Sequence, residues 1–170
     1  DTRAETLLTR ALDLLDEGVE TARTLASALN PPVGTSLWDT LEWLAIRMQE
    51  AHGLSVEIRA NGHDRSTGKN MRRLVVRLVR ELLFNVVKHA GTKEATLVLS
   101  ETEDRLFVTV EDDGKGFDPD ELGADEDGFG LTSVRRRIEF VGGSFEIDAA
   151  PGEGARVRIG GPFELGCSEA

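Results

Sequence analysis

The chain has 170 residues, 39% apolar and 30% charged, which is the balance of a soluble globular protein with room for one domain and an appendage. A net charge of -11 argues against nucleic-acid binding through phosphate neutralisation. No apolar run approaches the ~20 residues that span a bilayer, and Asp1 to Glu20 is amphipathic and charge-studded, unlike a signal peptide.

A chain that opens on Asp1 reads as a piece of a longer protein, leaving room upstream for a membrane or sensor segment. Apolar residues recur at Leu8, Leu12, Leu15, Val19, Ala22, Ala26 and Leu29, alternating steps of four and three. That is a heptad seam. It serves either a helix lying on its own domain's core or one from an intermolecular bundle; the narrow seam and polar remaining face favour the bundle. Pro31 and Pro32 end it.

Ser36 to His52 reads as a second helix, capped by Ser36, with Leu37, Leu41, Leu44 and Met48 at helical spacing and Gly53 as the stop. Leu54 to Arg59 alternates like a strand. Asn61 to Lys69 is a polar loop. Asn70 to His89 is the longest helix, with Leu74, Leu78, Leu82, Leu83 and Val86 on its apolar side. Ala95 to Ser100 and Leu106 to Glu111 read as a hairpin. Asp118 to Asp127 is rich in Asp and Glu, which suits a solvated loop. A short helix over Leu131 to Val141 ends at Gly142-Gly143, and strands follow at Phe145 to Ala149 and Ala155 to Ile159. Helices segregated from antiparallel-type strands predict an α+β two-layer α/β sandwich, a mixed sheet with helices on one face. The single cysteine, Cys167, can form neither an internal disulfide nor a cysteine-based zinc site, so a reducing cytoplasm is the expected setting.

Three short segments carry candidate chemistry. On the long helix, Glu81, Asn85 and Lys88 stand at i, i+4 and i+7. A carboxylate, a neutral amide oxygen and a cation on one stripe suit a metal-bound polyphosphate; the same pattern also serves a plain solvated face. Asp112-Asp113-Gly114-Lys115-Gly116 follows a strand, where glycines permit close backbone approach and an Asp can accept from an exocyclic amine. A plain Asp/Gly turn is the competing reading. A calcium loop is rejected, because Lys115 and Leu122 occupy ligand positions. Gly128-Phe129-Gly130-Leu131 opens the short helix, exposing N–H groups to phosphate. It is neither a dinucleotide fingerprint nor a P-loop.

In order and spacing, the set resembles the Bergerat-fold ATPases, which include histidine kinases, gyrase-type topoisomerases, MutL-type repair proteins and ATP-dependent chaperones. Glu81 to Ala90 resembles the N box, Asp112 to Gly116 the G1 box and Gly128 to Leu131 the G2 box; Pro151 to Ala155 resembles the last box, with Ala155 where a Thr is usual. Within that group the chain is most similar to histidine kinases paired with helix-turn-helix response regulators. The wording Asn85-Val86-Val87-Lys88-His89-Ala90, Val134-Arg135-Arg136-Arg137 and the Leu29-Asn30-Pro31-Pro32 linker carry that likeness.

The resemblance implies the following expectations. Residues 1–32 are the second helix of a dimerisation and histidine-phosphotransfer bundle, residues 33–165 the ATP-binding catalytic domain, and residues 166–170 a tail. ATP and Mg2+ are the cofactors. Asp112 takes the adenine amine, with Gly114 and Gly116 shaping its pocket. Asn85 ligates Mg2+, Lys88 and His89 lie near the phosphates, and Glu81 is the candidate catalytic base. Gly128, Gly130 and Leu131 flank the triphosphate. The reaction is transfer of the γ-phosphoryl to a histidine for relay to a response-regulator receiver domain, in a homodimer formed through the bundle. His52, His63 and His89 are the only histidines, and none lies on residues 1–29, so the acceptor is expected upstream. The implied location is cytoplasmic, with membrane anchoring of the intact protein through upstream segments. The alternatives are an anti-sigma-type serine/threonine protein kinase and a nucleotide-binding module without kinase activity.

Overall fold

The computed structural model describes residues 36–61, 66–119 and 130–165. Ser36–Ala170 forms a compact unit of its own. The heptad segment, His63, Gly128, Cys167 and all but the first two residues of the acidic stretch lie outside the described residues.

Helix α1 spans Leu37–His52, and both of its ends are set locally. The Ser36 hydroxyl accepts from the Asp39 N–H at 3.1 Å, while Asp39 accepts from the Ser36 N–H at 3.0 Å. This capping box satisfies two groups that a helix start otherwise leaves open. At the other end Gly53 takes φ 67°, and its N–H donates to the Gln49 carbonyl at 3.0 Å. Leu37, Leu41, Leu44 and Met48 face inward, as their spacing predicts.

Strand β1 spans Ser55–Asn61 and helix α2 spans Lys69–Asn85. The long helix does not run to His89 in one form. After Asn85 the chain widens into a π-helical turn, Val86–Ala90, closed by Gly91. The Val86 N–H is shared between the carbonyls of Leu82 and Leu83. Strands β2 (Glu94–Glu101) and β3 (Arg105–Asp112), helix α3 (Gly130–Phe140), and strands β4 (Ser144–Ala149) and β5 (Ala155–Pro162) complete the described elements.

The sheet order is β1-β2-β3-β5-β4. Strands β2 and β3 form the expected antiparallel pair, and β5 pairs antiparallel with both β3 and β4. The β1–β2 pair is parallel, as the expected mixed sheet requires. Helix α2 lies between β1 and β2 in the chain, and a helical crossover is what returns a strand in the same direction. The sheet is therefore mixed.

Alternation along the strands gives the sheet one helix-covered face. Ala95, Leu97 and Leu99, then Leu106, Val108 and Val110, then Val157 and Ile159 are buried there. Helix α1 packs on β1, α2 on β3, and α3 on β4 and β5, with α2 touching both other helices. Burying each such aliphatic side chain stabilises the fold by ~1.5–3 kcal/mol before ordering costs. The opposite sheet face is polar. It carries the Glu111–Arg156 pair at 3.0 Å and the Arg158 guanidinium 4.1 Å from the Phe107 ring centroid. The two-layer α+β sandwich with helices on one face is the architecture expected. Among the described residues, no helix is long and apolar enough to cross a membrane.

Candidate functional site

The site begins with the parity of β3. Leu106, Val108 and Val110 face the helical layer, so Asp112, two residues further, emerges on that face at the end of the core. The Gly114 N–H donates to Asp112 Oδ1 at 2.9 Å, which leaves Oδ2 free of that bond. Burial pushes the Asp112 carboxyl above the ordinary aspartate range; the Gly114 N–H pulls back and the Asp113 carboxylate pushes further up. A half-buried carboxylate with an available oxygen is an acceptor kept for an incoming donor.

The loop after Asp112 is fastened on two sides. The Lys115 N–H donates to the Ala90 carbonyl at 2.8 Å, tying the loop to the last residue of the π turn. On the other side the Gly152 N–H donates to the Lys115 carbonyl at 2.6 Å. Gly114 and Gly116 are required by space. A Cβ on Gly114 would stand 2.7 Å from both the Ala90 Cβ and Asp112 Oδ1. Gly116 holds φ 59°, and a Cβ there would drive into the Ala150 carbonyl. The loop is thus held between the turn at 150–154 and the end of the long helix.

Asn85 is the last α-helical residue before the π turn. Its Nδ2 is buried and has no hydrogen-bond partner among the described residues. An unpartnered buried amide nitrogen costs about 1–3 kcal/mol, and such a group is retained where a ligand completes it. Gly130, the first residue of α3, lies against this amide: a Cβ there would stand 2.9 Å from Oδ1 and 3.2 Å from Nδ2. An amide offers a neutral oxygen to a hard cation and an N–H to a phosphate oxygen, so Asn85 fits a Mg2+–polyphosphate group.

The remaining expected residues fall as follows. Glu81 is half-buried, one α-helical turn before Asn85. The even i, i+4, i+7 stripe stops at Asn85, because Lys88 and His89 belong to the π turn, whose residues no longer follow the 3.6 period. Both are exposed, and Lys88 Nζ stands 5.9 Å from the Phe84 ring centroid. Leu131 is half-buried and packs against the core cluster. Gly128 lies outside the described residues. Ala155, in the last box, sits in register opposite Asp112. The hydroxyl that a Thr would bring is therefore missing beside Asp112, at the loop end of the site. A separate shallow groove, lined by His52, Leu54, Val87, Gly91, Thr92 and Lys93, includes none of the expected site residues.

Sequence reasoning missed three contributors. The Ala90 carbonyl anchors the loop, Ala150 and Gly154 wall it, and Gly154 holds φ 76° with no space for a side chain against the Asp112 carbonyl. Only the Gly-Glu-Gly spacing at 152–154 signalled the last of these.

Comparison with known proteins bears on the family and the fold. Residues 70–165 match the family described as histidine kinase-, DNA gyrase B-, and HSP90-like ATPase. The chain is 26% identical over 161 residues to Sensor histidine kinase YxjM of Bacillus subtilis (strain 168), covering 94% of this chain and 38% of that protein. It is 27% identical over 171 residues to Sensor protein VraS of Staphylococcus epidermidis, covering 96% of this chain and 47% of that one. The chain therefore spans less than half the length of these relatives. Among solved structures, the histidine kinase domain of the Erythrobacter litoralis EL346 blue-light activated histidine kinase superposes with a TM-score of 0.61 at 24% identity, over 75% of this chain and 61% of that one. The mycobacterial sensor histidine kinase MprB gives 0.58 at 17%, over 75% and 95%. At such identities the structures speak for the fold, a Bergerat-type sandwich. The match of residues 70–165 covers more than half of the chain, and the chain belongs to the family of histidine kinase-, DNA gyrase B- and HSP90-like ATPases.

Proposed function

We propose that this chain is the ATP-binding catalytic part of a two-component sensor histidine kinase. It transfers the γ-phosphoryl of ATP to a histidine upstream of this sequence, for relay to a response-regulator aspartate. The observation that carries the reading is the Asp112 carboxylate, half-buried, with one oxygen occupied by the Gly114 N–H and the loop around it pinned to Ala90. Adenine offers an exocyclic amine to Oδ2, and the flat glycine backbone at Gly114 and Gly116 admits the ring. Asn85 would hold Mg2+, which would supply charge neutralisation to the polyphosphate. Lys88 adds positive charge at the rim with His89 beside it near the phosphates, while Gly128, Gly130 and Leu131 border the triphosphate.

In the transfer itself, the lone pair of a neutral imidazole nitrogen forms the N–P bond as the β–γ bridging P–O bond breaks and ADP leaves. The proton left on the ring passes to a base, for which Glu81 is the candidate. Positioning and charge neutralisation supply most of the acceleration. In this reading residues 1–32 are the second helix of the dimerisation bundle, residues 33–165 the catalytic domain and residues 166–170 a tail. The protein works in the cytoplasm as a homodimer facing a receiver domain.

The names of the relatives favour this reading over an anti-sigma-type serine/threonine kinase or an inactive module. Incubating the full-length protein with γ-labelled ATP and Mg2+ tests it. Label on protein that survives alkali and is lost in acid is phosphohistidine and supports the proposal. Acid-stable, alkali-labile label would instead mark a serine or threonine kinase, and no label would favour the module.

A further inference from the structure

The last residue of the π turn is buried between two exposed neighbours. Ala90 is 7% exposed, while His89 before it and Gly91 after it face solvent. Its backbone and its side chain both meet the Asp112 loop. The carbonyl accepts from the Lys115 N–H at 2.8 Å. A Cβ placed on Gly114 would run into that same carbonyl oxygen and would stand 2.7 Å from the Ala90 Cβ. Gly114 therefore lies directly on Ala90, with no room for another carbon between them.

Gly114 is also what holds the carboxylate. Its N–H donates to Asp112 Oδ1 at 2.9 Å, so the contacts run in series from Ala90 to Gly114 to Asp112. The loop is walled on its far side as well. There a Cβ on Gly116 would strike the Ala150 carbonyl, and the Gly152 N–H holds the Lys115 carbonyl at 2.6 Å. In a close-packed contact of this kind, added volume is passed on as a shift of the neighbour. The plain reading of Ala90 is a small residue filling the core, and it does belong to the core cluster. That reading explains its burial; the two contacts with the loop give it a second task.

We propose that Ala90 is a positioning residue for base recognition. Its small size lets Gly114 approach, and the Gly114 N–H then turns the Asp112 carboxylate so that Oδ2 meets an exocyclic amine. A larger side chain at position 90 pushes the Gly114 N–H away from Oδ1, and the carboxylate loses its fixed direction. Ala90 acts through Gly114, and so favours a purine with an amine over one with a carbonyl at the same place. The assignment rests on the nucleotide reading of Asp112.

The test is calorimetric titration, with Mg2+, of ATP, ADP and inosine triphosphate into the wild type, Ala90→Val and Ala90→Gly. Inosine triphosphate carries an oxygen where adenine carries the amine. Ala90→Val is expected to lose about tenfold for ATP and ADP alike, ~1.4 kcal/mol. It loses less than about twofold for inosine triphosphate, so the preference for adenine falls. Ala90→Gly keeps the carbonyl and removes volume, and stays within about threefold of the wild type for all three. Retained inosine triphosphate binding shows that Ala90→Val is folded, since unfolding would lower all three affinities together. Unchanged adenine preference in Ala90→Val, a loss for ATP without one for ADP, or an equal loss in Ala90→Gly would overturn the assignment while leaving the pocket in place. Failure of the wild type to bind ATP overturns the pocket reading and the role of Ala90 with it.

Discussion

The two helix ends on either side of β1 and the long helix are built on opposite terms. Helix α1 finishes at Gly53 with its last carbonyls satisfied by the Gly53 and Leu54 N–H groups, and its start is closed by the Ser36–Asp39 box. Helix α2 starts at Gly68 without a side-chain cap and ends in a π turn that leaves the Asn85 amide nitrogen buried and unpartnered. The first arrangement uses its capping groups for stability. The second holds polar groups in reserve at the place where the glycine loop is pinned to Ala90. Unsatisfied groups and π turns concentrate at functional sites because ligand binding repays what folding alone does not.

Substitutions at each end can break that contrast. Asn85→Ala is expected to cut Mg2+-dependent ATP affinity by tenfold or more, ~1.4 kcal/mol, while the unfolding midpoint in denaturant stays level or rises. A large fall in stability would show that the amide serves the fold instead. Ser36→Ala should behave in reverse. It loses about 1 kcal/mol of stability with the capping hydrogen bond, and nucleotide affinity stays unchanged in the same titration. A smaller effect is expected from Asp112. Its carboxyl is raised by burial, so the charged form is what folding disfavours. The resulting cost is absent below the ordinary value of 3.8, grows as pH rises toward the folded value, and is constant above it. Asp112→Asn should therefore melt slightly higher than the wild type at pH 7, with the difference vanishing in acid; a lower melting point at pH 7 would contradict this.

Much of this was legible in the sequence where the signal is local. Ser36, the Leu37–Met48 spacing and Gly53 specify α1 without help from the rest of the chain. Period-two alternation places β2 and β3, and the parity of β3 puts Asp112 at its inward end. What was not legible depends on distant pairing or on a local slip. The apolar pattern of α2 continues through Val86, so nothing in it marks the change from α to π, and Lys88 was assigned to a stripe that stops at Asn85. The parallel β1–β2 pairing and the register that sets Ala155 opposite Asp112 are long-range contacts. The close approach of Ala150 to Gly116 is likewise invisible until the sheet forms.

The central claim is that Asp112 is the base-recognising acceptor of a nucleotide pocket, and calorimetry with ATP and Mg2+ on the wild type and Asp112→Asn tests it most directly. In the variant the side-chain oxygen keeps the Gly114 N–H, so an amide nitrogen faces the adenine amine, donor against donor. Saturable binding by the wild type, weakened about a hundredfold, ~2.7 kcal/mol, in a variant that stays folded, is the predicted result. Equal affinity in the two proteins, or no binding by the wild type, would contradict it.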